Sequence, residues 1–290
     1  MEPIFDGETA LRRKRRAHAI GDDGAWFLMR RAAEDLADRL STVERRFEHA
    51  AAVHCLTGDA ANTLAMSGKV GAVTRVEADP ALLDGGEGLV SHGETLPLEP
   101  ESLDLAVSLL TLHEANDLPG QLIQIRRALK PDGLFLGCLA GAGTLGELRE
   151  CLLAAETEIR GGASPRVMPF AAVRDAGALL QRAGLALPVA DTETVTVRYA
   201  DMFGLMRDLR AMGATNALAG RARAPTPRAV FLRAAELYAE RFSDPDGRIR
   251  ATVSMIWLSG WAPHASQQKP LKPGSAKQSL AEALKPLDGE

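Results

Sequence analysis

Between residues 50 and 140, short apolar runs alternate with stretches of helical periodicity, and that rhythm leaves few architectures open. Segments 51–56, 73–78, 89–92, 103–110 and 134–140 read as strands, each bounded by Gly, Asp or Pro. Segments 59–68, 80–85 and 118–133 read as helices, the last with Leu118, Leu122, Ile125 and Leu129 on one face and a stop at Pro131. The strands are apolar almost throughout rather than alternating, as strands covered on both faces are. A parallel sheet between two helical layers follows. Such sheets take ligands beyond the carboxyl ends of their strands, where strand order reverses.

After residue 143 the rhythm changes. Segments 144–159, 169–184, 202–213 and 226–242 read as helices, and 189–199 and 251–263 as strands. Met202, Leu205, Leu209 and Met212 form a stripe that suits core packing better than a cofactor box. Ahead of the sheet, the basic run at 12–16 precedes an amphipathic helix carrying Phe27, Leu28, Ala32, Leu36 and Leu40. That run reads as a solvated helix face, with a docking patch for an acidic partner as the alternative. The expected organisation is an N-terminal helical segment (1–45), an α/β domain (46–264) with a helical insertion at about 200–250, and a Pro-, Lys- and Ser-rich flexible tail (265–290).

Charge and composition narrow the function classes. Thirty-four Lys and Arg against 38 Asp and Glu give a net charge of −4, so no global field attracts nucleic acid or anionic lipid. Aromatics at 4% argue against a base-stacking platform. Cys55, Cys138 and Cys151 are far apart and odd in number, which suits free thiols in a reducing compartment. The basic N-terminus lacks the apolar core of a secretory signal, and no apolar stretch reaches the roughly 18 residues of a membrane span. These features predict a soluble cytoplasmic protein without membrane insertion, peripheral association being left open.

Segment 94–137 carries the most distinctive pattern, in Leu96-Pro97-Leu98, Leu103-Asp104-Leu105, Leu112-His113-Glu114 and Leu129-Lys130-Pro131-Asp132-Gly133. It resembles the second half of a class I S-adenosylmethionine (SAM)-dependent methyltransferase. The stretches IFD (4–6), NDLP (116–119), 144–170, 202–217 and 260–276 sharpen the match. They resemble the complex I assembly-factor subfamily described as protein-arginine hydroxylases, with its alphaproteobacterial members, which is also similar to malonyl-acyl-carrier-protein methyltransferases. The resemblance implies a Rossmann-like α/β fold with a seven-stranded sheet of order 3-2-1-4-5-7-6. Its seventh strand is antiparallel, the sixth lies near 187–199 and the seventh near 250–261, and helices form a lid. It also implies SAM as cofactor and, as partner, an iron–sulfur subunit of respiratory complex I.

A SAM site of this family needs an acid and a Gly-x-Gly-x-Gly loop after the first strand, because a Cβ there collides with the ligand. Here the acid becomes His54, the first glycine Leu56 and the third Ala60, while Gly58 remains. Glu77 and Asp79, after the second strand, are the candidates for the ribose hydroxyls; the alternative is a carboxylate capping the turn that starts near Pro80. Glu94 and Thr95 would lie beside the adenine, and Leu109, Leu110 and His113 would line the methionine end. His113 is the candidate catalytic group, with a satisfied structural histidine as the alternative. Glu114 stands where the family has an aromatic, and Gly143 where the branch has an acid. A methyltransferase-family protein acting on a protein substrate and a cofactor-free assembly factor, a pseudoenzyme, are thus both consistent with the chain. His54, Cys55 and His113 match no metal-ligand spacing, and neither a G-x-S-x-G elbow nor a P-loop is present.

Overall fold

The computed structural model describes residues 2–268; most of the stretch read as a tail lies outside the described residues. Helices α1 (Gly7–Ile20) and α2 (Phe27–Ser41) come first, joined by a 3-10 turn. The α/β alternation follows as β1 (Phe47–Val53), α3 (Asp59–Met66), β2 (Val70–Glu77), β3 (Leu89–Val90), β4 (Leu103–Leu109), α4 (Leu118–Ala128) and β5 (Leu129–Ala140). The chain then runs α5 (Gly146–Arg160), α6 (Val173–Arg182), β6 (Ala186–Tyr199), α7 (Met202–Ala211), α8 (Arg228–Phe242) and β7 (Ile249–Trp261).

All seven strands form one sheet in the order β3-β2-β1-β4-β5-β7-β6. The first five are parallel, and β7 runs antiparallel to both β5 and β6. This is the order and the single reversed strand that the resemblance implied. Strand β1 lies inside the sheet between β2 and β4, with alanines at 50, 51 and 52, residues of weak strand preference held extended by burial on both faces. Ala50 and Ala52 face Leu36 and Leu40 of α2, Leu64 of α3 and Trp257. Ala51 and Val53 face Leu122 and Ile125 of α4 and Leu180 of α6. A third cluster packs α5, α7 and α8 together through Leu148, Leu152, Leu205, Leu237 and Tyr238.

Several boundaries differ from the sequence reading by a few residues, the helix read at 80–85 is a 3-10 turn (Pro80–Leu83), and two differences have a clear physical cause. The first strand lies at Phe47–Val53, not 51–56, because exposed Glu48 and His49 hide its start and the chain turns at His54. The helix read to Gly133 ends at Ala128, and Leu129 already pairs with Leu103. Pro131 disfavours helical backbone at Lys130, and the segment becomes a bulge in which Asp132 has φ 64°. Gly133 is required there, since a Cβ would come within 2.9 Å of the Lys130 carbonyl oxygen.

The basic run also divides. Arg12, Arg15 and Arg16 are exposed, whereas Arg13 donates to the carbonyl oxygens of Thr215 (2.9 Å) and Asn216, and Lys14 reaches Glu114. Close contact between α1 and the turn after α7 depends on Gly213, whose φ is +74° and whose added Cβ would lie 3.0 Å from Lys14 Cα. Gly213→Ala is expected to destabilise the protein by about 2 kcal/mol through left-handed strain, with any displacement of α1 adding to it. Urea unfolding checks this, and a change within experimental error of zero contradicts it.

Candidate functional site

The loop after β1 determines what the carboxyl edge of the sheet can hold. Val53 is followed by His54 at φ 51° and, two residues further, Leu56 at φ 60°, two left-handed non-glycine residues separated only by Cys55. Each such conformation costs about 1–2 kcal/mol, so the surroundings must enforce it. Glu77, at the end of β2 and 1% exposed, accepts the Cys55 N–H through Oε1 at 3.1 Å. The Thr111 hydroxyl donates to the His54 carbonyl. Leu56 is itself buried and packs into the core. The strained loop is therefore held by a carboxylate at Cys55, by a hydroxyl at His54 and by the burial of Leu56.

Burial pushes the Glu77 carboxyl up to about 7, against the pull of Arg75, whose guanidinium stands 3.8 Å away. Its Oε2 has no hydrogen-bond partner. His54 places Nε2 2.9 Å from Ser91 Oγ, and burial lowers its pKa to about 4, so it is neutral. Gly58 has ordinary backbone angles, and the nearest atom to an added Cβ lies at 3.5 Å, so the loop itself does not require glycine there.

The remaining candidates have internal partners of their own. Asp79 accepts the Ala81 N–H at 2.9 Å and pairs with Arg15 at 3.4 Å, capping its 3-10 turn. Glu94 accepts the N–H groups of Asn116 (2.5 Å) and Asp117 (2.8 Å), fixing the entrance to α4. Thr95 is exposed and exchanges backbone hydrogen bonds with His92. Leu109 lies in the core, and Leu110 turns at φ 53° toward a cavity. SAM held in the family's manner needs a free carboxylate after the second strand and bare backbone after the first. Asp79 and Glu94 are instead engaged inside the chain, Glu77 is buried with one oxygen committed to the Cys55 N–H and only Oε2 unpartnered, and a buried Leu56 stands in place of the first glycine. The residues present do not fit that mode of binding.

The cavity, of about 310 Å³, lies beyond the carboxyl ends of β4 and β5. Leu56, Leu110, His113 and Ala140 form its floor; Trp26 and Met29, Leu148 and Leu152 of α5, and Leu209 with Met212 form walls and roof. Of the sequence candidates it brings together Leu110 and His113 and leaves His54, Gly58, Glu77, Asp79, Glu94, Thr95 and Leu109 outside its wall. The methionine stripe is split: Met202 and Leu205 are core, whereas Leu209 and Met212 face the cavity.

His113 accepts the Ala140 N–H at Nδ1 (3.3 Å), which assigns the ring proton to Nε2, and its ring lies against Phe170 with centroids 5.9 Å apart. Burial lowers its pKa to about 4, so it enters the cavity wall as a neutral group. Lys14, Glu114, Arg166 and Arg210 also line the cavity and were not among the sequence candidates. The signal for Glu114 was present as a charge in place of the family's aromatic. Lys14 was concealed within the basic run. No thiol joins them: Cys55, Cys138 and Cys151 are all buried outside the cavity wall, and burial raises each thiol, that of Cys151 to about 11. The arrangement can shelter an apolar stem and neutralise a charge at one end.

A methyltransferase-domain family model matches residues 52–137. Across nearly the whole chain, the mouse protein named arginine-hydroxylase NDUFAF5, mitochondrial, is 39% identical over 290 residues, covering 97% of this chain and 84% of that protein. The chain belongs to the NDUFAF5 family. A family member from Dictyostelium discoideum is 47% identical over 186 residues, 64% of this chain, and the match spans only 42% of that relative's length. Among solved structures, the YcgJ protein of Bacillus subtilis shares the fold, with a TM-score of 0.54 at 16% identity over 80% of this chain and 99% of that one. The expectation of a cytoplasmic protein does not stand, since these NDUFAF5 relatives are named as mitochondrial. Among the described residues, no helix is long and apolar enough to cross a membrane. In NDUFAF5-family terms, the cavity roof is built by the 202–217 segment, one of the stretches that marked the subfamily resemblance.

Proposed function

We propose that this chain binds or modifies an arginine-bearing protein substrate during assembly of respiratory complex I, taking the side chain into the cavity beyond β4 and β5. The observation that carries the reading is the cavity's construction. Its walls are mostly apolar, its one carboxylate, Glu114, is paired with Lys14, with Arg166 and Arg210 also in the lining, and its roof is the 202–217 segment that carried the subfamily resemblance. A long aliphatic stem ending in a cation matches that chemistry. Comparison of complex I from a deletion strain and its parent, with mass spectrometry of the iron–sulfur subunits' arginines, is expected to show reduced assembly or a lost modification. Unchanged abundance and unchanged arginine masses would remove the reading.

A second reading, in which the chain acts without SAM, is favoured by the engagement of Glu77, Asp79 and Glu94 and by buried Leu56. Calorimetric titration with SAM and S-adenosylhomocysteine separates the two modes. Absence of heat at millimolar ligand supports cofactor-free action, and micromolar binding contradicts it.

A further inference from the structure

The counter-ion of the cavity's one carboxylate comes from the amino-terminal helix. Lys14 Nζ lies 2.5 Å from Glu114 Oε2, with side-chain exposures of 15% and 12%. One ammonium thus meets one carboxylate oxygen, and no other donor reaches the Glu114 carboxylate among the described residues. That leaves acceptor capacity unused on a largely buried acid. Burial pushes the Glu114 carboxyl up, and the charge of Lys14 more than offsets this, so the group remains ionised. Lys14 has no polar partner other than Glu114 among the described residues, whereas its neighbour Arg13 is fixed to the Thr215 and Asn216 carbonyls. The helix is thus anchored one residue away, independently of the Lys14–Glu114 contact.

We propose that Lys14 is an internal placeholder for a cationic side chain of the protein partner, and that Glu114 is the specificity-determining residue that receives it. The inference rests on the reading of the cavity as the substrate site. The exchange keeps the charge balance of the cavity, one buried cation replacing another. A guanidinium can present two parallel N–H donors to both carboxylate oxygens, which an ammonium at one oxygen cannot do. The partner's arginine therefore gains hydrogen bonds that Lys14 leaves unmade, and a partner lysine gains fewer. Until a partner arrives, Lys14 keeps the carboxylate from standing as an unpaired buried charge.

Calorimetry of the full chain with acetyl-Gly-Arg-Gly-amide, its lysine counterpart and its citrulline counterpart tests this. Lys14→Met, which removes the internal competitor, is expected to bind the arginine peptide roughly tenfold more tightly than the parent chain. Glu114→Gln is expected to lose the preference for arginine over the isosteric but uncharged citrulline. The double variant Lys14→Met/Glu114→Gln leaves neither charge unpaired, so it tests the proposal even if Lys14→Met folds poorly; it is expected to bind citrulline at least as well as arginine. Unchanged affinity in Lys14→Met, persistent arginine preference in the double variant, or no binding by any variant overturns the proposal. An unaltered complex I beside an intact Lys14→Met effect would remove the complex I reading and leave the placeholder standing.

Discussion

Glu156→Ala is expected to destabilise the protein by about 3–5 kcal/mol, the range for breaking a buried ion pair from one side. Glu156 lies on α5 at 1% exposure and accepts from Arg166 Nε (3.0 Å) and Nη2 (2.6 Å), Arg160 (3.0 Å) and the Ser164 N–H (3.1 Å). It closes the loop after α5 back onto the helix and places Arg166 in the cavity wall. Alanine would leave Arg166, 16% exposed, with only the Thr226 hydroxyl as a hydrogen-bond acceptor among the described residues. Hydrogen bonding from Arg166 holds the Glu156 pKa down at about 2, from an ordinary 4.5. The unfolded chain therefore binds this proton more tightly, so the stabilisation is complete above pH 4.5 and is lost as pH falls toward about 2. Urea unfolding of the variant should show both the loss at neutral pH and a flatter acid limb. Stability within about 1 kcal/mol of the parent at pH 7 would contradict the clamp.

Glu77→Gln is expected to act in the opposite direction. The Glu77 pKa is raised by burial from 4.5 to about 7, so the folded protein binds that proton more tightly than the unfolded chain. Its contribution is most favourable below pH 4.5 and declines as pH rises through about 7. Glutamine keeps an oxygen for the Cys55 N–H and carries no charge to desolvate. Arg75 retains Asp84 (2.9 Å) and the Leu82 carbonyl (2.6 Å). The variant should be more stable than the parent by about 1–3 kcal/mol at pH 8 and nearly equal to it at pH 4. A less stable variant at pH 8 would mean that attraction to Arg75 outweighs burial. Unfolding midpoints measured from pH 4 to 8 decide between them.

The sheet was legible because its strands are apolar on both faces, and periodicity reports that directly. The strand order came from resemblance, since no local pattern distinguishes β7 beside β5 from β6 beside β5. Strand ends were less legible where polar residues begin a strand, as at Glu48 and His49, or where a bulge follows a helix without a break, as at Lys130–Gly133 in β5. At the site, Leu110 and His113 could be anticipated because they follow β4 by one and four residues. The inward turn of Glu77 could not, because it depends on the left-handed backbone of His54 and Leu56. Lys14 and Arg13 were hidden for a different reason. Arg13 meets Thr215 across 202 residues of chain, and a helical charge run gives no sign of which member points inward.

That separation has a consequence for how the protein comes into being on the ribosome. Phe5 is paired with Asn116, Asp6 with Arg221 and Arg13 with Thr215, so the first helix to emerge finds its last partners only when the 215–221 stretch has been synthesised. Closing loops of this length is slow and late, after the local α/β units can already have formed. A nascent chain halted before residue 215 would carry only the five parallel strands, with β6 lacking its partner β7 and the cavity open, so a binding-competent chamber would form only once β7 has been made.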